Sequence, residues 1–141
     1  MITALDTNVI INLWDRDPVV NTFAQTALDD ALMLGTLVVG APVFSELMAA
    51  PRRTEAFVNA FFEDTSLGIE FDLSEAIWRA AGQAFQAYAA RRRKQQRDPG
   101  PRRILADFLI GAHASYRGYR LLTLDDHFYK SAFNRMEVIT F

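Results

Sequence analysis

The chain has 141 residues, half of them apolar and 23% charged, which is enough for one domain, residues 1–141, with a hydrophobic core of its own. It contains no cysteine, which excludes a disulfide scaffold, a thiolate metal site and a cysteine nucleophile, and its two histidines, His113 and His127, are too few for a histidine-rich zinc site. Net charge is only −2, but residues 91–103, RRRKQQRDPGPRR, carry seven Lys and Arg against one Asp, so the remaining chain is strongly acidic. No apolar stretch approaches the ~20 residues of a membrane span. The first residues, Met1 to Asp6, lack the basic region and apolar run of a signal peptide. The expectation is a soluble, cytoplasmic protein with no membrane partner.

In chain order, Ile2–Leu5 reads as a buried strand that turns at Asp6-Thr7-Asn8, with Asn8 placed to cap a helix carrying Val9, Ile10, Leu13 and Trp14. Asp17-Pro18 opens a second helix whose apolar positions, Val20 to Leu32, recur at helical spacing until Gly35. Leu37-Val38-Val39 is a second buried strand. Pro42 opens a helix broken by Pro51, and a further helix follows around 53–64. Gly68–Phe71 is a weak third strand. Ser74 caps the longest helix, whose face of Ile77, Ala81, Ala84, Phe85 and Tyr88 keeps a 3.6-residue period into the basic segment. Asp98-Pro99-Gly100-Pro101 is a loop, Arg103–Tyr116 a helix stopped by Gly118, Tyr119–Leu122 a strand, Asp125–Lys130 a short helix and Glu137–Thr140 a last strand. Buried strands alternating with helices predict an α/β fold with a central parallel sheet of four to five short strands and helices on both sides.

In such sheets the functional crevice lies at the carboxyl ends of the strands. Asp6 follows the first strand, Glu46 lies one turn into the helix after the second, Asp107 opens the helix after the Pro-Gly loop, and Asp125 follows the fourth strand. Taken singly each has a plain explanation: Asp6 and Asp125 as helix caps, Glu46 as a solvent-facing charge. Asp107 is harder to explain so, because Leu105-Ala106-Asp107-Phe108-Leu109-Ile110 is otherwise apolar and a charge there wants a partner. Converging carboxylates repel one another unless a cation neutralises them. A hard divalent ion, Mg²⁺ or Mn²⁺, suits such oxygen donors, polarises a phosphoryl oxygen and acidifies a bound water. Exposed Trp14 could stack on a base, although packing inside the protein or at an interface is the commoner use of such a residue.

Four segments, Leu5-Asp6-Thr7-Asn8-Val9-Ile10, Val43-Phe44-Ser45-Glu46-Leu47, Ala106-Asp107-Phe108-Leu109-Ile110-Gly111-Ala112 and Leu122-Thr123-Leu124-Asp125-Asp126-His127-Phe128, occur in an order and spacing that resemble a PIN-domain ribonuclease, and within that group the VapC-type toxins of toxin–antitoxin pairs. The resemblance spans essentially the whole chain. It implies a PIN-like fold, Mg²⁺- or Mn²⁺-dependent endonucleolytic hydrolysis of RNA phosphodiesters, a homodimer, and a cognate antitoxin that covers the active groove. It also implies that Asp6, Glu46, Asp107 and Asp125 form the catalytic metal site, with Asp126 the alternative to Asp125, and that Thr7, Asn8 and Thr123 support it. The basic residues Arg91, Arg92, Arg93, Lys94, Arg97, Arg102 and Arg103 precede Asp107 and would hold RNA phosphates at its rim, positioning the strand without reading its sequence. A solvated helix end is the plainer use of such a run. Two other readings are a PIN-fold protein that binds RNA or a partner without cleaving, and a different metal-dependent phosphoryl hydrolase. Phosphatases of the haloacid dehalogenase type want a second Asp where Asn8 stands, and a receiver-like module wants paired acids and a late Lys that this chain lacks.

Overall fold

A computed structural model of the chain describes residues 1–95 and 102–141. Five strands, β1 (Ile2–Leu5), β2 (Thr36–Gly40), β3 (Gly68–Glu70), β4 (Arg120–Leu122) and β5 (Val138–Ile139), form one sheet in the order β3-β2-β1-β4-β5. Every neighbouring pair is parallel, with Thr3 opposite Leu37 and Leu5 opposite Leu122. The fold is therefore the parallel α/β architecture expected. Consecutive residues of β1 and β2 are buried on alternate faces alike, from Thr3 to Leu5 and from Leu37 to Gly40, so both faces of the central strands are covered.

The helices are α1 (Thr7–Leu13), α2 (Pro18–Leu34), α3 (Ala41–Met48), α4 (Glu55–Asp64), α5 (Glu75–Lys94), α6 (Leu105–Arg117) and α7 (Asp126–Ala132). Short polar side chains start several of them by accepting backbone N–H groups that have no partner within the helix. Asp17 accepts from Val19 N at 2.9 Å ahead of Pro18, Thr54 from Phe57 N at 3.1 Å, and Ser74 from Ile77 N at 3.3 Å. Gly118 ends α6 in the left-handed region, φ 72°, where a side chain is disfavoured. The expected cap of α1 is corrected: Asp6, not Asn8, is the N-cap, and it accepts from Thr7 N. Asn8 reaches across to the other half of the sheet, where its Oδ1 accepts from Leu124 N at 3.2 Å. The helix expected from Arg103 begins two residues later, at Leu105, which leaves Arg103 outside it. The expected loop at 98–101 and Arg97 lie outside the described residues.

The core joins both layers through Val9, Ile10, Val39, Leu47, Ile77, Ala81, Phe108 and Leu121, all essentially inaccessible. Phe85 stacks on Phe108 with ring centroids 4.4 Å apart, and Tyr88 and Phe128 close the same aromatic cluster. That cluster ties α5, α6 and α7 together. Trp14 packs edge-on against Phe57 and Phe61, each at 5.1 Å, so its ring serves packing between α1 and α4. His113, fully buried, is bonded to Glu70 Oε1 at 2.8 Å, whose other oxygen accepts from Tyr119 at 2.9 Å, which makes it a satisfied core histidine. Among the described residues no helix is long and apolar enough to cross a membrane.

Candidate active site

Strand order reverses direction at β1: the chain builds outward to β2 and β3, then crosses back to β4 and β5. That reversal leaves a crevice beyond the carboxyl ends of β1 and β4, the usual place for a ligand in an open parallel sheet. Asp6 stands there, its backbone N–H donating to Leu122 O at 3.0 Å across the two strands. Its carboxylate is 6% exposed and holds two donors: Thr7 N reaches Oδ1 at 2.8 Å and Thr123 Oγ1 reaches Oδ2 at 2.7 Å.

Two threonines extend this centre. The Thr7 hydroxyl donates to Glu46 Oε1 at 2.6 Å, so one residue bonds Asp6 through its backbone and Glu46 through its side chain. Thr123, wholly buried, donates its hydroxyl hydrogen bond to Asp6 and accepts from Asp125 N at 2.9 Å, which links the ends of β1 and β4. Asp107 sits in the first turn of α6, where Oδ2 accepts the N–H of Ile104 at 3.0 Å, closing that helix end. Thr7, Asn8 and Thr123 thus stand at the site, each with a defined bond.

The electrostatics follow from burial. The Asp6 carboxyl is pushed up to about 6, first by loss of water and then by the charges of Asp107 and Glu46, against the two hydrogen bonds that favour its ionised form. Burial also raises Asp107, with Asp125 adding to the effect and the Ile104 N–H and Arg103 opposing it. The four acids therefore share one electrostatic neighbourhood. Among the described residues, though, no three Asp, Glu or His side chains are drawn tightly enough together to form a ready-made cation cage. The donor set is all oxygen, and Glu46 Oε2 and Asp107 Oδ1 carry no hydrogen bond from any described residue, so Asp6, Glu46 and Asp107 together suit a hard divalent ion.

Asp125 differs. It occupies the N-cap position of α7 without capping it, because both its oxygens are taken by Arg103: Nη2 donates to Oδ1 at 3.1 Å, and Nη1 donates to Oδ2. The guanidinium also lies over the Phe128 ring, 4.2 Å from its centroid. Its pKa is held up by Asp125 although burial works against the charge. Tyr88 fixes the backbone there by accepting the Arg103 N–H at 2.9 Å. Arg103, expected at the rim among the phosphate contacts, is instead turned into the acidic pocket. Asp126 points elsewhere and pairs with Lys130 at 3.0 Å. Of the other basic residues, Arg91, Arg93 and Lys94 are exposed on the last turn of α5, Arg102 is exposed, and Arg92 donates to Tyr88 at 3.2 Å.

Two features escaped the sequence reading. Beside Glu46 an apolar groove of about 510 Å³ is lined by Pro42, Leu73, Trp78, Leu105 and Leu109, with Trp78 half exposed. Trp78 stands at the flank of the apolar stripe of α5, three residues before buried Ala81. The second is Tyr129 of α7, 1% exposed, four residues after Asp125.

Comparison with known proteins bears on the whole chain. The family model described as the PIN domain matches residues 3–134. No curated protein matches. Solved structures do. The VapBC2 complex from Rickettsia felis, bound to a DNA fragment from its promoter, contains a chain of which 98% aligns with 99% of this one at 16% identity and a TM-score of 0.69. VapBC-1 from nontypeable Haemophilus influenzae gives 20% identity over 99% of this chain and 98% of that one, TM-score 0.67. FitAcB from Neisseria gonorrhoeae gives 21% identity over 99% and 96%, TM-score 0.64. At such identities the likeness is one of fold.

Proposed function

The chain belongs to the PIN domain family, and from that premise we propose that it is a metal-dependent endoribonuclease, the VapC-type toxin of a type II toxin–antitoxin pair. The observation that carries this reading is the grouping of Asp6, Glu46 and Asp107 around the carboxyl end of β1, linked through Thr7, with burial first and the charges of Asp107 and Glu46 after it raising Asp6 to about 6. The naming of several structural neighbours as toxin–antitoxin complexes supports the toxin part.

In this mechanism Asp6, Glu46 and Asp107 hold Mg²⁺ or Mn²⁺. The ion supplies Lewis acidity toward a phosphoryl oxygen and a water of lowered pKa. Thr7 and Thr123 fix the rotamers of Asp6 and Glu46, so that no side-chain ordering is needed when substrate arrives. Arg103, held on Asp125, supplies positive charge at the pocket edge, where a phosphate flanking the scissile bond passes. Arg91, Arg93, Lys94 and Arg102, with Arg92 and Arg97 of the same run, hold more distant phosphates of the RNA. Asp125 then acts by holding Arg103 and keeping the pocket acidic, with Asp126 outside it.

The partners in this reading are the RNA substrate, a second copy of the chain and a cognate antitoxin, all cytoplasmic. The exposed apolar surface around Trp78, Ile104 and Leu105 supports a docking partner beside the site. The test is cleavage of mixed RNA with Mg²⁺ or Mn²⁺ against EDTA, for wild type and Asp107→Asn. Metal-dependent cleavage lost in the variant is expected; equal cleavage in EDTA or in the variant overturns the mechanism.

A further inference from the structure

Arg103 is fixed at both ends. Its backbone N–H donates to the Tyr88 hydroxyl at 2.9 Å, and its guanidinium lies 4.2 Å from the centroid of Phe128. That ring is packed in turn against Phe108 and Tyr129, at 5.5 and 4.9 Å. From this seat the guanidinium donates to both oxygens of Asp125, Nη2 to Oδ1 at 3.1 Å and Nη1 to Oδ2. Single bonds join the pair to the rest of the centre. Thr123 Oγ1 accepts from Asp125 N at 2.9 Å and donates to Asp6 Oδ2 at 2.7 Å. Ile104, the residue after Arg103, donates its N–H to Asp107 Oδ2 at 3.0 Å. The acidic crevice thus already holds one cation, and that cation is a side chain.

We infer that Arg103 stands in for a second metal ion: its guanidinium neutralises Asp125, so that the centre takes a single divalent ion, on Asp6, Glu46 and Asp107. The inference deepens the metal-dependent reading and rests on it. A hydrated ion reaches Asp125 only by displacing the guanidinium, which breaks two charge-assisted bonds at once. It also leaves Arg103 on the Phe128 ring without its counter-charge, at a place where the side chain is only 19% exposed, and a charge stranded in that way is costly. The planar fork covers both carboxylate oxygens together, which the single ammonium of a lysine does not. Glu46 Oε2 and Asp107 Oδ1, by contrast, accept no hydrogen bond from any described residue and stay open to an ion.

The experiment counts Mn²⁺ ions bound to the metal-free protein, by calorimetry and by electron paramagnetic resonance of the unbound ion. Wild type should take one. Arg103→Gln frees Asp125 and should take two. Arg103→Gln combined with Asp125→Asn removes both charges and should take one again, with a Kd close to that of wild type. This double variant leaves no charge unpaired in the pocket, so it should fold even where the single variant does not. Two ions in wild type overturn the inference, and so does one ion in Arg103→Gln. A Kd weakened by about tenfold or more in the double variant, the scale of loss known for groups one step removed from a metal, would make Asp125 a holder of the ion and overturn it as well. The nuclease reading fails separately: with the ion counts as expected but no RNA cleaved in Mn²⁺, that reading falls and the role of Arg103 stands. No ion bound to wild type overturns both.

Discussion

Arg103 grips both oxygens of Asp125 while its guanidinium rests on the face of Phe128, so one of the four acids in the crevice carries its own counter-charge. The geometry is the bidentate fork that suits Arg and not Lys. It divides the acids into two kinds. Among the described residues Glu46 and Asp107 each keep one oxygen without a hydrogen bond, whereas both oxygens of Asp125 hold a guanidinium in place.

Removing Arg103 should therefore cost more than an ordinary surface arginine. The pair is about four-fifths buried on the Arg103 side and two-thirds on the Asp125 side. A value between an exposed and a buried pair, about 1–2 kcal/mol, is expected for Arg103→Gln in urea unfolding. A cycle with Asp125→Asn should show strong coupling. Additive losses would mean that the two side chains act independently.

The raised Asp6 carboxyl predicts an inverted acid response. Its folded value of about 6 lies above the reference 3.8. Between those values the folded chain keeps a proton that the unfolded chain has released. Its contribution is thus fully present below about pH 4 and is lost as pH rises through 6. Metal-free stability should fall over that window by up to about 3 kcal/mol from this group. Asp6→Asn should flatten the slope while keeping the cap, since Asn caps helices as well as Asp. Denaturant midpoints at pH 4, 5, 6 and 7 measure it; the same slope in both proteins would show that burial of Asp6 is not its origin.

Divalent ions should then stabilise the fold. At an ion concentration 100 times Kd the gain is about 2.7 kcal/mol, or about 8 °C in Tm for a domain of this size. Thermal melts with and without Mn²⁺ check this. Glu46→Gln and Asp107→Asn should each lose most of the shift, and Asp126→Asn should keep all of it.

The exposed charges at the end of α5 give a salt signature. Changing Arg91, Arg93 and Lys94 to Gln should lower the slope of log K against log salt for single-stranded RNA by about 0.7 per lost contact, measured in Ca²⁺ to prevent turnover. Arg92 is left out because it is bonded to Tyr88. An unchanged slope would make the run a solvated helix end.

Gly111 marks how closely α6 is pressed onto its neighbours. A Cβ there would stand 2.2 Å from a ring carbon of Phe133. Gly111→Ala should destabilise the chain by about 1–3 kcal/mol through overpacking. It should also weaken activity, because α6 carries Asp107. Wild-type stability in this variant would show that the Phe133 ring gives way freely.

Much of this was legible in the sequence because prolines, glycines and caps mark the boundaries: Asp17-Pro18, Ser74 and Gly118 stand where the structure has them. The acids were legible because strand ends in a parallel sheet face one crevice. What stayed hidden depends on side-chain direction. Within a run of seven positive charges nothing distinguishes Arg103, which folds back onto Asp125, from Arg91, which faces solvent. Asn8 and Asp6 are both good caps, and only the pairing of β1 with β4 decides that Asn8 bonds Leu124 instead.

The bond between Asp6 and Thr123 spans 117 residues. A ribosome making this chain has made Asp6 and Glu46 long before β4, which seats Asp6, and Asp107 shortly before it. Until then Asp6 lacks both Thr123 and the Leu122 carbonyl that fixes its backbone, and the central strand has a neighbour on one side only. A nascent or prematurely ended chain thus carries the acids without the centre. Under the proposed function, the chain is then inert toward the message and ribosome that are producing it until nearly the last strand has been made.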